Sequence, residues 1–450
     1  MQKNDVLILQ SQAFGSQAEG LCRFDGHVIF VPGALPGETV EVLIVKIQKN
    51  HAFGKLLRVI ESSPERITPP CLYYPQCGGC SCQHMSYDME LEFKQAHVSN
   101  VLQRIGGIQI EVPPVIGMRE PWQYRNKTSQ PVVIQKGAPV SGFYMRRSHQ
   151  VIATERCLIA KKQSDEAANI VISWMKDKGI APYDEQIHQG LIRNIMTRIN
   201  HIGESMVTLV INGRDIPEED SLISNLIQNL PGFVSLCISS NTAKGNTILG
   251  KSYRVLWGSD RLQDTLCGFK FSLSPLSFFQ INRLQAEILY QKALELSEVK
   301  DTDLIIDLYC GAGTITSLFA RHCREIIGIE IVPQAVIDAQ SNAKGNDIDN
   351  ASFMLGSAEK LMPELARKGY QPDIVLLDPP RKGAAPEVLS AIAAVQPAKI
   401  VYISCDPATQ ARDAKILVNL GYHVTACQPV DMFCRTPDVE NILLFERAVI

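Results

Sequence analysis

The sequence predicts an α/β protein in three parts: an N-terminal small β-barrel, OB-like in size, a central α+β domain, and a C-terminal doubly wound domain. Three observations carry this reading. From Asp303 onward the chain repeats strand, glycine turn, helix, strand, the rhythm of a parallel sheet covered by helices on both faces. Residues 1 to 60 hold short strand-like runs separated by glycine turns, the spacing of a small barrel. The length, 450 residues, favours two or three domains over one.

In chain order, the barrel strands are Asp5 to Gln10, Val28 to Val31, Glu38 to Ile47 and Gly54 to Ile60. Phe24-Asp25-Gly26 and the stretch Pro32 to Gly37 supply turns. Ser62 to Pro70 reads as a linker, followed by a cysteine cluster and a charged helix from Tyr87 to Ile105. The central part, 61–270, alternates strands (Val207 to Ile211, Leu236 to Ser239) with helices (Ser164 to Lys178, Leu222 to Asn229) and has no nucleotide fingerprint. Pro275 to Leu296 reads as a helix inside the last part, 271–450. Internal repeats, coiled coil and low-complexity tracts are absent from the sequence.

Composition narrows the function class. The chain is 45% hydrophobic and 20% charged, with formal net charge -3; any nucleic-acid surface must therefore be local. No signal-peptide core and no apolar run of membrane-spanning length occur. This predicts a cytoplasmic protein without membrane association, and no obligate protein partner is evident. Thirteen cysteines in that compartment are not expected to be disulfides. Cys71, Cys77 and Cys80 stand in a C-x5-C-x2-C spacing, with Cys82 and Cys157 as candidates for a fourth ligand. Four thiolates suit an iron–sulfur cluster or structural zinc; zinc sites more often use paired C-x2-C arms, and one arm is present here.

The C-terminal domain begins with an apolar strand, Leu304 to Leu308, and a turn, Tyr309-Cys310-Gly311-Ala312-Gly313-Thr314. Gly311 and Gly313 permit a tight entry into the helix near Thr314. The turn lacks the third glycine of a dinucleotide fingerprint and contains no Lys or Arg, which argues against a phosphate ligand. The next strand ends in Glu330, placed to accept hydrogen bonds from ribose hydroxyls. Asp378-Pro379-Pro380-Arg381 leaves a strand at the sheet edge where α/β ligands bind, its prolines fixing Asp378. Such acids suit a cationic adenosyl sulfonium. A further buried strand, Lys399 to Ile403, ends in Ser404-Cys405-Asp406-Pro407. A thiol there, beside a nucleotide-type pocket, points to covalent catalysis.

These residues resemble a known family: the S-adenosylmethionine-dependent RNA uracil-5 methyltransferases, of the iron–sulfur 23S rRNA type. The resemblance covers essentially the whole chain. Its most specific pieces are Phe279-Gln280-Ile281-Asn282, Asp307 to Thr314, Asp378 to Arg381, Ser404 to Thr409, and Met432 to Glu440. It implies a Rossmann-like methyltransferase domain and an N-terminal TRAM domain for RNA binding. It implies a [4Fe–4S] cluster on Cys71, Cys77, Cys80 and Cys157, with Cys82 a bystander. S-adenosyl-L-methionine contacts fall on Gln280, Tyr309, Glu330 and Asp378, beside the Gly311 and Thr314 turn. The nucleophile falls on Cys405 and the general base on Glu440. The family usually has Asn where Asp406 stands, and often His-Val-Glu where Asp438-Val439-Glu440 stands. An ionised Asp406 would raise the thiol's pKa.

The implied reaction adds a thiolate to C6 of uracil, making C5 nucleophilic enough to take a methyl group. A carboxylate then removes the C5 proton. Arg381 is placed to stabilise the enolate oxygen or hold a phosphate. RNA binding also has local support. Residues 115–162 carry nine Lys/Arg and two acids, interleaved with Trp122, Tyr124, Phe143 and Tyr144. The barrel and cysteine cluster favour 23S rRNA as the partner; transfer RNA is the alternative. A methyltransferase for exocyclic base nitrogens, working through the Asp378-Pro-Pro turn without a thiol, is a further one.

Overall fold

The computed structural model describes residues 1–448. Five strands, β1 (Val6–Phe14), β2 (Gly20–Phe24), β3 (His27–Val31), β4 (Thr39–Ile47) and β5 (His51–Glu61), close a barrel in the order β1-β2-β3-β5-β4. Period-two alternation makes the barrel: Val40, Val42 and Ile44 point inward and are fully buried, while their neighbours are not. β2 carries no strong strand signal in the sequence; its Leu21-Cys22 pair is held by β1 and β3 on either side.

A helix, α1 (Tyr87–Val101), follows the cysteine-rich loop and ends in a π-helical turn, Leu102–Gly106. Ser86 caps it, accepting from the Met89 N–H. Val98, Leu102, Val112 and Val115 share a core with the C-terminal domain. The central sheet comprises β6 (Lys127–Gln135), β7 (Ala138–Tyr144), β8 (Val151–Ala153), β9 (Ile192–Ile199), β10 (Ser205–Ile211), β11 (Phe233–Ser240) and β12 (Tyr253–Gly258), in the order β12-β11-β10-β9-β6-β7-β8. Helices α2 (Lys162–Asp177) and α3 (Glu219–Asn229) cover its apolar face through Val171, Trp174, Leu222 and Leu226.

A hairpin, β13 (Leu262–Leu266) and β14 (Phe269–Leu273), packs its phenylalanines against α4 (Arg283–Ser297). The expected helix from Pro275 is shorter than its pattern. Asn282 caps α4, accepting from the Gln285 N–H at 3.3 Å. Residues 275–281 therefore run outside the helix.

The C-terminal sheet is built from β15 (Leu304–Leu308), α5 (Thr314–Ala320), β16 (Glu325–Glu330), α6 (Pro333–Gly345), β17 (Ala351–Leu355), α7 (Ala358–Arg367), β18 (Ile374–Leu377), α8 (Pro386–Ala394), β19 (Lys399–Ser404), α9 (Pro407–Asn419), β20 (Tyr422–Val430) and β21 (Glu440–Arg447). Its order is β17-β16-β15-β18-β19-β21-β20. The first five strands are parallel, and β21 is antiparallel to both neighbours. The order reverses between β15 and β18, and ligands of open α/β sheets bind at such a switch point. Strand ends are level there: Leu308 pairs with Ile329 and Leu377, and Leu377 with Tyr402.

Candidate active site

The level strand ends bring the predicted residues together. Tyr309, Gly311, Glu330, Asp378, Cys405 and Glu440 all line one cavity of about 1370 Å³, together with Gln280 and Phe278 from the segment before α4. Thr314 is not on the wall; its Oγ1 lies 3.3 Å from the Tyr290 hydroxyl behind it.

The glycine turn is built as its composition demands. Gly311 and Gly313 adopt φ of 56° and 78°, and Tyr309 is held at 65°, a conformation costly for a residue with a side chain. The turn is fastened to β16: the Tyr309 N–H donates to the Ile329 carbonyl (2.9 Å), and the Gly311 N–H donates to Glu330 Oε2 (3.1 Å). Glu330 Oε1 accepts from the Val332 N–H (2.8 Å). Deeper, Thr316 donates to the buried Asp307 (2.5 Å), whose carboxyl burial pushes up to about 7.

Cys405 and Glu440 meet through sheet register. Ser404 pairs with Asn441 across β19 and β21. Cys405 follows that rung on one chain and Glu440 precedes it on the other, and both line the cavity, close enough for Glu440 to act on the thiol. Glu440 is buried, and its Oε2 has no hydrogen-bond partner. Burial, then the nearby Asp378, raises its carboxyl well above the ordinary range. Asp378 opens onto the cavity yet is enclosed by the surrounding atoms; that enclosure pushes its carboxyl up to about 7. The Cys405 thiol is pushed up to about 12, first by burial and then by Glu440, with Arg381 pulling the other way.

One expectation needs correction. Asp406 does not act mainly on the thiol: its Oδ1 accepts from the Ala408 and Thr409 N–H groups, both at 3.0 Å, capping α9. Arg381 donates through Nη2 to Asp438 Oδ2 at 2.9 Å while its side chain stays largely exposed, so its remaining N–H groups are open to an enolate oxygen or a phosphate.

The site also holds residues with no sequence signal. Asp338, mid-helix in α6, accepts from Ser277 (2.9 Å) and Arg261 (2.8 Å) and lines the cavity. Phe433, on the connection before β21, is part of the same wall.

The cavity suits an adenosyl sulfonium. Several acids face it, one buried carboxylate oxygen lacks a partner, and no cation sits in the glycine turn. At the second predicted centre, Cys71, Cys77, Cys80 and Cys157 are free and half-buried. They are neighbours: burial raises Cys77, Cys80 and Cys157, and mutual repulsion links Cys77 to Cys71, Cys80 to Cys157 and Cys77, and Cys157 to Cys77. This donor set fits a thiolate-held centre. Among the described residues, however, no group of three or more His, Cys, Asp or Glu is closed into a metal-holding arrangement. Cys82 is buried in a core with Leu35, Met85 and Phe93.

The RNA-facing expectation survives in part. Arg119, Lys136, Arg146, Arg147, Arg156 and Lys162 are exposed. Arg146 points at the cysteine loop, donating to Ser81 Oγ. Tyr124 is buried, its hydroxyl bonded to the Cys434 carbonyl (2.9 Å), and Trp122 lies under the Arg435 guanidinium. Tyr124 offers no stacking face, and one face of Trp122 is taken by Arg435. No helix among the described residues is long and apolar enough to cross a membrane.

The tRNA (Uracil-5-)-methyltransferase family profile matches residues 242–448, and the TRAM domain profile matches residues 2–57. An uncharacterized RNA methyltransferase of Clostridium tetani is 43% identical over 445 residues, covering 99% of this chain and 97% of its own. One from Listeria monocytogenes is 40% identical over 443 residues, covering 98% of each. Among solved structures, the tRNA (uracil-54, C5)-methyltransferase of Pyrococcus abyssi, in complex with S-adenosyl-L-homocysteine, superposes with a TM-score of 0.77 at 26% identity, over 97% of this chain and 99% of that one. The chain therefore belongs to the S-adenosylmethionine-dependent RNA uracil-5 methyltransferase family, with a TRAM domain at its N-terminal end.

Proposed function

We propose that the protein methylates C5 of a uridine in 23S ribosomal RNA through a covalent Cys405 adduct. The observation that carries this is Cys405 in one cavity with a buried Glu440 whose Oε2 has no partner and whose charge acts on the thiol. The thiol releases its proton to water and its sulfur bonds to C6, moving an electron pair through the ring to C5. C5 then takes the methyl group as the donor's sulfur–methyl bond breaks, leaving S-adenosylhomocysteine. Glu440 removes the C5 proton, the C6–sulfur bond breaks, and the electron pair returns to Cys405.

The order of charges favours this sequence. A thiolate and a carboxylate so close resist ionising together. Once sulfur is bonded to carbon its charge is gone, and Glu440 ionises more readily as the proton acceptor. Gln280, Tyr309, Glu330 and Asp378 would hold S-adenosylmethionine, with Gly311 and Thr314 shaping the turn around it. The target base must leave its stack to reach Cys405, and the barrel, 1–60, would hold flanking RNA.

The part 61–270 would carry a [4Fe–4S] cluster on Cys71, Cys77, Cys80 and Cys157, stapling the loop before α1. The protein would act in the cytoplasm. A transfer-RNA uridine is the second reading, favoured by the full-length likeness to an enzyme named for uracil 54 of tRNA. Mass spectrometry of ribosomal and transfer RNA from a deletion strain separates the two. Loss of one 5-methyluridine from 23S rRNA supports the proposal; loss from tRNA alone overturns the choice of substrate.

A further inference from the structure

The connection between β20 and β21, residues 431–439, leads directly into Glu440. Its first half is held by buried charges. Lys94 on α1, fully buried, donates to Glu90 Oε1 (2.8 Å), Asp431 Oδ1 (2.6 Å) and the Phe433 carbonyl (3.3 Å). Glu90 Oε1 also accepts from the Arg435 N–H (2.7 Å), and Tyr87 donates its hydroxyl to Asp431 Oδ2 (2.6 Å). The Arg435 carbonyl accepts from the N–H groups of Ser81 (2.9 Å) and Cys82 (3.1 Å). The cysteine-rich loop and α1 thus close on the same short segment. Arg435 itself is held at φ of 68°, a left-handed conformation that its surroundings must impose.

Packing alone does not call for such an arrangement. Apolar side chains of equal volume are often as stabilising as a buried ion group, whereas paired buried charges can select one geometry; here both Asp431 oxygens accept hydrogen bonds, and Glu90 Oε2 faces the Arg435 guanidinium at 3.5 Å as an ion pair. The geometry selected here is that of the segment before the base. Val430 with Glu440 is the last rung of the β20–β21 ladder, at the mouth of the connection. The next residue, Asn441, is clamped separately by Gln410, whose Oε1 accepts from Asn441 Nδ2 (2.8 Å) and whose Nε2 donates to the Asn441 carbonyl (3.0 Å). A loosened connection therefore displaces Glu440 first. Cys405 sits between β19 and α9, in a turn held by Ser404 and Asp406, and is not touched by the buried ion group.

We propose that Lys94, with Glu90 and Asp431, is a positioning residue for Glu440, and that it governs release of the RNA adduct but not its formation. This rests on the uracil-5 reading above, because release is the step in which Glu440 takes the C5 proton and the carbon–sulfur bond breaks. The test is a single-turnover assay of the full chain with substrate RNA and S-adenosylmethionine, following the denaturant-stable protein–RNA species and free methylated RNA separately. Lys94→Met keeps the side-chain length and removes the charge. Adduct formation and S-adenosylhomocysteine binding are expected to stay unchanged, while release slows by about tenfold or more and the adduct accumulates. Formation and release slowing together, or release unchanged in folded protein, overturns the proposal.

Should Lys94→Met fail to fold, Tyr87→Phe decides. It removes the hydroxyl that donates to Asp431 and accepts from the Met118 N–H (2.9 Å) and leaves every charge in place, so the same selective slowing of release is expected, and unchanged release overturns the proposal. Unaltered protein with 5-fluorouridine RNA is run alongside. No adduct there would remove the uracil-5 reading itself, an outcome distinct from failure of the positioning role.

Discussion

At the residue scale, three acidic groups and one thiol share a small volume, and burial sets their protonation. With the Cys405 thiol pushed up to about 12, its thiolate fraction grows with pH across the neutral range. The single-turnover rate of adduct formation should therefore rise with pH from about 6 to about 9, measured with saturating RNA and methyl donor; a flat profile would contradict this thiol environment. Cys405→Ala should abolish turnover, whereas a methyltransferase for exocyclic nitrogens would keep it. Glu440→Gln should lower turnover by about 10²–10⁴-fold and accumulate protein–RNA adduct. It should also move the formation profile to lower pH, because Glu440 is the second cause of the thiol's elevation, after burial. Recovery of only free RNA would remove Glu440 from the role of base.

At the element scale, the site is a product of strand ends and caps. The sequence patterns of β15, β16, β18 and β19 were legible because parallel strands buried on both faces read as continuous apolar runs. The turns after them were legible from glycine, proline and acid placement. The segment before α4 was less so: Ser277 to Ile281 continues an apolar pattern, but the Asn282 cap starts the helix at Arg283. The clamp on the segment after β20 was not legible at all. Lys94 and Asp431 lie far apart in sequence and read singly as surface charges, although both are fully buried. Asp406 shows how a sequence departure can be absorbed by an element. Asp406→Asn should keep the α9 cap and leave thermal stability nearly unchanged, whereas Asp406→Ala should cost about 1 kcal/mol. A large loss with Asn, read by chemical denaturation, would show that the charge matters beyond the cap.

At the scale of the whole molecule, the structure divides labour between a barrel, a central sheet and the methyltransferase domain, with α1 joining the cysteine loop to the last of these. The α/β class and the barrel followed from periodicity and turn spacing, and Glu330, Asp378 and Cys405 from their places at strand ends, whereas Gln280, Tyr309 and Glu440 were marked only by the family resemblance. The split of the basic segment was not legible, because charge counts do not reveal which arginines turn inward. Replacing exposed Arg119, Arg147 and Arg156 with alanine should weaken RNA binding and reduce the slope of log affinity against log salt, by up to about 1 for each phosphate no longer neutralised. An unchanged slope would place the RNA elsewhere.

Stability should also carry the imprint of the buried site. Asp307 and Asp378 are each raised to about 7, chiefly by burial. The folded state thus holds protons that the unfolded chain releases near pH 4, so their contribution is full at low pH and is lost as pH rises from about 4 to about 7. Asp378→Asn should flatten that part of the melting-temperature profile; an unchanged profile would mean that Asp378 is already ionised when folded.

The central claim is a sulfur–carbon bond between this chain and a pyrimidine. It is tested most directly by incubating the protein with S-adenosylmethionine and RNA bearing 5-fluorouridine at the target position, then digesting the product and mapping the modified peptide by mass spectrometry. Fluorine at C5 leaves Glu440 no proton to remove, so the predicted result is a stable methylated nucleotide attached at Cys405. Methyl transfer with no attached nucleotide, or attachment at another side chain, would contradict the account.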